Sequence, residues 1–308
     1  MAITAATKTT DFSGFLKPEI ADSYFEKARR QSVVQSLARK IPLGINGQEI
    51  PYSTAKPVAG WVAEAGQKPA TKGGLALKTM APKKLAAIAV VSAEVVRANP
   101  GNYMEILKDD IAEAFAVAFD SAALHGTNSP FGVGQNLDAT TKIVEVGTTT
   151  AASGGVYGDL NAALKLLVND GKALTGWAFD NKAEPILNGA VDLNGRPLFV
   201  ESPYEDSALS GGRVLRRPAL YADGISTPIV TGSPNTGGIV GYGGDWSQVV
   251  WGTVGGISYD VSTQSTVTIN GELVSLWENN LVAIRAEAEY GFLLNDAASF
   301  VKITDHTE

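Results

Sequence analysis

In the stretch from Gln48 to Arg97 no helix can run across the middle. Gly66, Pro69, Gly73 and Gly74 punctuate its middle, and a helix interior pays about 1 kcal/mol for each glycine and about 3 kcal/mol for a proline. Two short extended pieces, Gln48–Ser53 and Gly60–Glu64, lead to a tip at Ala65–Gly74 rich in Gly, Pro and Lys. A long return of small and β-branched apolar residues follows, Leu75–Val91. Extended arms joined at a flexible tip predict a long β-hairpin. An isolated hairpin is marginal in water, so this one must lean either on its own domain or on a neighbouring subunit.

The segments around it read as mixed α and β. Residues 1–44 form an arm, with helical periodicity over Glu19–Arg30 (Ile20, Tyr24 and Ala28 on one face) and again over Val33–Arg39; Pro42 and Gly44 close it. The clearest helix is Tyr103–His125. Pro100-Gly101 breaks the chain before it, Asn102 is placed to cap it with Glu105 three residues on, and Gly126 stops it. Tyr103, Leu107, Ile111, Phe115, Phe119 and Ala122 recur at helical spacing, and the length corresponds to about 35 Å.

The second half alternates more quickly. The pattern predicts a strand at Lys142–Val146, a helix at Tyr157–Asn169 with Asp159 near its cap, a strand at Gly176–Phe179, and a short helix broken at Pro185. A turn at Gly195-Arg196 leads into Pro197–Glu201. Ile239–Tyr242, Gln248–Trp251 and Ile257–Val261 then read as strands of a mixed sheet. Asn280–Leu294 alternates strictly: Val282, Ile284, Ala286, Ala288 and Tyr290 on one face, Arg285, Glu287 and Glu289 on the other. That is a long strand with one polar face, whose cation and two anions need partners or solvent.

Chemistry-bearing motifs are missing. The only histidines are His125 and His306, which argues against a His-based metal site or general base. No Gly-x-Ser-x-Gly elbow occurs. The glycine-rich run Gly237–Gly244 matches neither dinucleotide nor P-loop spacing, Gly171-Lys172-Ala173 lacks the required Ser/Thr, and the run reads as a tight loop between strands. The pairs Asp109/Asp110, Glu201/Glu205 and Glu287/Glu289 fall where an exposed helix or strand places them, and the five tryptophans are scattered. No catalytic, cofactor-binding or metal-binding residue is nominated. The 308 residues carry no cysteine and a net charge of -7, which excludes a disulfide scaffold and argues against a dedicated nucleic-acid binder. There is no apolar run long enough to span a membrane and no signal-peptide pattern at the start, so synthesis in a reducing cytosol is expected.

The order of parts — arm, long hairpin, long helix, α/β domain, alternating strand — resembles the major capsid proteins of tailed bacteriophages, with their Hong Kong 97-like shell fold. Ala59-Gly60-Trp61-Val62-Ala63-Glu64 is similar to the family's tryptophan-then-glutamate signature. Lys84-Leu85 through Val91-Ser92-Ala93-Glu94-Val95-Val96 resembles the run leading into its spine helix. Leu193-Asn194-Gly195-Arg196-Pro197-Leu198, Gly244-Asp245-Trp246, Ala283-Ile284-Arg285-Ala286-Glu287 and Ala298-Ser299-Phe300-Val301 are similar to later family segments. Their order from about Phe12 to Thr304 carries the resemblance.

The resemblance implies an α+β shell protein with an N-terminal arm (1–44), an E-loop hairpin (45–91), a peripheral domain with a spine helix (92–154 and 272–308) and an axial domain (155–271). It implies self-assembly into hexamers and pentamers around a double-stranded DNA genome in a virion capsid, with portal, separate scaffolding and decoration proteins as further partners. It also implies that the E-loop crosses an adjacent subunit. Trp61 and Glu64 are expected there, Lys68, Lys72, Lys78, Lys83 and Lys84 are expected to pair with Asp109, Asp110, Glu113 or Glu287 and Glu289 of neighbours, and Arg285 is expected among the same inter-subunit contacts. Some relatives carry an N-terminal scaffolding segment, but this chain begins almost directly at the arm. Some cross-link a lysine to an asparagine; Asn295 is available, but no motif assigns such a pair. An encapsulin-type compartment shell is the alternative of the same fold. A hydrolytic enzyme is the alternative of another class, and the missing nucleophile and histidine motifs count against it.

Overall fold

The computed structural model describes residues 32–64, 66–99, 102–191, 210–228 and 237–306. The expected helix at Glu19–Arg30 and the turn and strand over 195–201 lie outside the described residues.

The chain enters through a short helix, α1 (Val33–Leu37), capped by Ser32, whose hydroxyl accepts from the Gln35 amide. It is shorter than the predicted Val33–Arg39, because Arg39–Lys40 (β1) pairs in parallel with β10 (Val249–Thr253). The hairpin begins with β2 (Gln48–Ala55), which pairs antiparallel with β3 (Gly74–Met80). Two expectations are corrected here. Gly60–Glu64 is not a strand, and the long return is two strands rather than one. Pro82 has no amide to donate to a ladder, and at Ala81–Pro82 the chain leaves β2 to become β4 (Lys83–Ser92). β4 then pairs along ten residues of β14 (Leu281–Leu294), from Lys83↔Tyr290 to Ser92↔Leu281.

After α2 (Ala93–Ala98) comes α3, which spans Tyr103–His125 as the periodicity predicts. Its cap is different. Asn102 sits at φ 57 with no capping hydrogen bond; the Asn99 side chain instead accepts from the Met104 amide. A left-handed residue directs its side chain away from the first turn, so the side chain three residues earlier does the capping. Gly126 closes the helix at φ 69, a conformation glycine adopts without steric cost.

Two sheets meet on α3. In the first, β14 is central: β4 lies on one side, while β10 and then β11 (Ser258–Ser262) follow one another antiparallel to it. Ala286, Ala288, Tyr290, Phe292 and Leu294 of β14 pack with Ile111, Phe115 and Phe119 of α3 in one core. The expected face holds: Val282, Ile284, Ala286, Ala288 and Tyr290 are all buried. A small ribbon, β12 (Thr266–Ile269) and β13 (Glu272–Ser275), precedes β14.

The second sheet is mixed, but of the three strands expected to share one mixed sheet only Ile239–Tyr242 lies in it; β10 and β11 pair with β14 in the first sheet instead. The order of the second sheet is β5 (Ile143–Glu145), β15 (Phe300–Thr304), β9 (Ile239–Gly244), β6 (Gly176–Phe179), β8 (Arg217–Tyr221) and β7 (Ser210–Val214). The β5/β15 and β6/β8 pairs are parallel. Its own core is completed by Leu160, Ala163 and Leu167 of α4 (Gly155–Asn169) and by Ala183 and Leu187 of α5 (Ala183–Asn188). Helix α5 is not broken at Pro185. The proline is its third residue, where the missing amide has no intrahelical acceptor to serve. Asp159 is not a simple cap either. Buried, as the fifth residue of α4, it accepts from the Gly147 amide and the Thr148 and Thr149 hydroxyls, tying the preceding loop to the helix.

The glycine-rich run is corrected in part. The strand expected at Ile239–Tyr242 is present and continues to Gly244 inside the sheet, so the run is not a tight loop between strands. Its glycines admit aromatic rings from the adjacent strands. A Cβ on Gly241 would lie 2.5 Å from the Phe179 ring, one on Gly243 2.4 Å from Trp177, and one on Gly244 2.4 Å from Phe300. Gly244-Asp245-Trp246 is the junction that carries the chain out of this sheet, through a turn capped by Asp245, into β10.

Candidate assembly surfaces

The β2–β3 ribbon is held at its root. Met80, only 1% exposed, packs with Leu43 and Leu293 against the first sheet. It reaches the sheet because two glycines face each other there, Gly252 on β10 and Gly291 on β14. A Cβ on Gly291 would lie 2.7 Å from Leu43 and 2.9 Å from Met80. The Lys78 ammonium donates to the Asn295 carbonyl and lies 5.1 Å from the Tyr52 ring. Beyond the root nothing in the described chain covers the ribbon. Leu75 and Leu77 are exposed, the tip from residue 56 to 73 is exposed wherever described, and Trp61 is fully exposed.

The polar face of β14 finds partners within its own sheet. Arg285 donates to Asp260 of β11 at 2.7 Å and also approaches Glu287 at 3.5 Å, while Lys84 of β4 pairs with Glu287 at 3.1 Å. The register explains this, since Arg285 stands opposite Asp260, and Lys84 opposite Glu289 and diagonal to Glu287. Neighbours directly across a ladder lie about 5 Å apart at Cβ. Arg285, Lys84 and Asp260 remain substantially exposed, so solvent screening leaves each pair weak.

The structure thus gathers Lys84, Arg285, Glu287 and Glu289 on one face. It does not gather the rest. Asp109, Asp110 and Glu113 lie on the first half of α3, where Glu105 and Lys108 form an i,i+3 pair and Lys108 also accepts from the Tyr259 hydroxyl through its carbonyl. Burial, then the nearby Asp109, raises the Tyr259 phenol above its ordinary range. Trp61, Glu64, Lys68 and Lys72 sit at the tip, beyond a ribbon of one eight-residue and one seven-residue strand, about 20 Å long.

Several groups were not anticipated. The Gly252/Gly291 socket was legible only as glycines inside strand patterns, which mark close backbone approach. His125, at the end of α3, belongs to a buried cluster. Tyr242 donates to Asp138 at 2.7 Å, and His125 Nδ1 lies 3.1 Å from both the Asp138 carboxylate and the Tyr242 oxygen. Burial alone would lift the Asp138 carboxyl, but the hydrogen bonds from His125 and Tyr242 outweigh it and hold it below the ordinary carboxylate range. Burial and Asp138 together push the Tyr242 phenol well upward. The cluster ties α3, the turn at Leu137–Ala139 and β9 together.

Asp120, also on α3, accepts from the Ser32 hydroxyl at 2.5 Å and from the Val33 amide at 2.9 Å. It fixes the start of α1 to α3, and burial raises its pKa to about 6. Asp180 accepts from the amides of Gly224, Ile225 and Ser226 and shapes that turn. Among the described residues no group of three or more His, Asp or Glu side chains is arranged to hold a metal.

Comparison with known proteins agrees with this architecture. The model of the phage capsid family matches residues 13–305. The chain is 46% identical to the "Probable major capsid protein gp17" of Mycobacterium phage D29, over 98% of this chain and 93% of that protein. It is likewise 46% identical to the protein of the same name from Mycobacterium phage L5, over 98% and 92%. A solved structure from Mycobacterium phage Cain superimposes with a TM-score of 0.75 at 19% identity, covering 97% of this chain and 98% of that one, so it shares the fold. With a match spanning nearly all of its residues, and with its long helix, paired sheets and outlying ribbon, this chain belongs to the phage capsid family.

Proposed function

We propose that the chain is the repeating subunit of a closed virion shell. In this reading it assembles as hexamers and pentamers around a double-stranded DNA genome, with the E-loop of each copy lying across its neighbour. The observation that supports this most is the β2–β3 ribbon: anchored at Met80, uncovered beyond it, and ending in a tip with a fully exposed tryptophan. A two-stranded ribbon of this kind is marginal in water, and in a shell an adjacent copy supplies the missing surface. Residues 45–91 then act as the E-loop, 92–154 with 272–308 as the peripheral domain, and 155–271 as the axial domain.

Individual ion pairs between lysines of the loop and acids of a neighbour are weak, but repetition round a closed shell multiplies them. The net charge of -7 favours loose, non-specific contact with packaged DNA over sequence recognition. Portal, scaffolding and decoration proteins complete the proposed partners, and the host cytoplasm is the proposed place of assembly.

Electron microscopy of the expressed chain tests the reading, with regular shells as the expected result. Deleting residues 65–74 is expected to leave a folded chain that forms none, because the tip touches nothing that holds the rest of the chain together. Unaltered shells from that variant refute an essential role for the tip, and particles that hold protein cargo instead of DNA identify the compartment alternative.

A further inference from the structure

We propose that Trp61 of one copy docks in a cleft between α3 and β4 of an adjacent copy, where Glu64 of the first pairs with Lys83 of the second. The inference rests on the reading that the E-loop crosses a neighbour, and it names the seat. A cavity of about 410 Å³ opens beside the start of β4. Its floor is apolar and aromatic, with Phe119, Phe131, Leu85 and Tyr290, and its lining also includes Ala118, Lys83, Lys84 and the polar side chains of Ser121, Thr127 and Asn128. Phe119 and Phe131 already meet edge to face at 6.0 Å, and a third ring extends such an array favourably.

Three observations identify the occupant. The tip offers one large aromatic side chain, Trp61, fully exposed between Val58 and Val62, which are also exposed. Glu64 and Lys83 each lack an ion-pair partner among the described residues, whereas Lys84 is committed to Glu287 on the opposite face of the sheet. Three residues separate Trp61 from Glu64, at most about 10 Å of chain, so both reach a single cleft and its rim. A chain cannot fill its own cleft with its own tip, because β3 carries the tip about 20 Å away from Lys83. The occupant is therefore a second copy.

The chain has no cysteine, so introduced thiols report without background. The full-length double variant Trp61→Cys, Ala118→Cys is expected to form shells that give a ladder of covalent multimers under oxidising conditions, collapsed by reductant, while each single variant stays monomeric. Shells that yield only monomer overturn the docking. If the double variant fails to assemble, charge reversal decides. Glu64→Lys and Lys83→Glu should each cut shell yield at least tenfold, and combining them should restore it; no restoration overturns the pairing. The thiol of Ala118→Cys should react with a maleimide in the dissociated subunit and be protected in the shell. Protection already present in the subunit means the chain's own residues fill the cleft, and that also overturns the proposal. Shells lost on deleting residues 65–74 with no ladder from the cysteine pair defeat this seat alone, whereas shells unaffected by the deletion defeat the E-loop reading as well.

Discussion

Replacing Gly243 with alanine adds one methyl group at a crowded point of the second sheet. Its Cβ would lie 2.4 Å from Trp177 Cζ3 and 2.5 Å from Cε3, against a comfortable carbon–carbon separation of about 3.5–4.0 Å. The indole must therefore retreat by more than about 1 Å, and it has nowhere to go. Trp177 is fully buried, stacks on Phe179 at 5.6 Å, and donates its indole N–H to the Val214 carbonyl at 3.1 Å. Overpacking of this kind costs about 1–3 kcal/mol. Losing the buried indole hydrogen bond adds about 1–3 kcal/mol, and the reduced freedom of the unfolded chain returns about 0.4–1 kcal/mol. The expected net loss is about 1–5 kcal/mol.

Urea unfolding of the subunit, followed by tryptophan fluorescence, reads the loss as a lowered midpoint at unchanged slope. Gly256→Ala is the control: no atom lies within 4 Å of its added Cβ, and it should be neutral or slightly stabilising. A Gly243→Ala midpoint equivalent to within about 0.5 kcal/mol of the parent, the range of an innocuous surface change, refutes the packing account of the glycine run.

Three further perturbations test the anchors. Asp120→Asn keeps an acceptor for the Val33 amide and removes a charge whose pKa is raised to about 6. A raised carboxyl pKa means the folded state binds the proton more tightly, so this group's contribution to stability grows as pH falls through about 6 and is lost above it. The variant should therefore match or exceed the parent at pH 8 and lose its advantage by pH 5 in thermal melts. Tyr242→Phe removes the 2.7 Å donor to Asp138 and should cost about 1.5–3 kcal/mol near neutral pH. Because Asp138 titrates below its ordinary range, that loss should shrink in acid, once the carboxyl is protonated in both variants. Met80→Ala empties the socket at Gly252 and Gly291. It should cost about 2–5 kcal/mol in urea unfolding and raise proteolytic cleavage within residues 56–73.

Where local pattern and tertiary environment agree, residues alone located the elements. Tyr103–His125 and Gly176–Phe179 lie where periodicity places them, and β14 buries the alternate residues its sequence marks. Each of these segments buries one face against one continuous core, so its pattern is written in its own residues. The errors share a different cause. Gly237–Gly244 read as a loop overlapping the strand at Ile239–Tyr242, because glycine has weak strand preference and the rings that need the space, Trp177, Phe179 and Phe300, lie about 60 residues away on either side. Asn102 has a capping residue's identity, yet its left-handed backbone leaves the task to Asn99. The return of the hairpin looked continuous, and only the pairing with β14 showed that it changes partner at Pro82.

The candidate site divides in the same way. The sequence by itself determined that a hairpin with a Gly/Pro/Lys tip belongs to a mixed α+β chain and that Trp61 and Glu64 sit on it, because turn chemistry and alternation are properties of neighbouring residues; it left open whether the hairpin leans on its own domain or on a neighbour. Only the tertiary structure decided what holds the ribbon and what it leaves open. Met80 reaches its socket because Gly252 and Gly291 fall opposite each other in the β10/β14 register, and the cleft below Lys83 exists because α3 and β4 meet there. Both depend on contacts between residues far apart in the chain, which local sequence pattern does not encode.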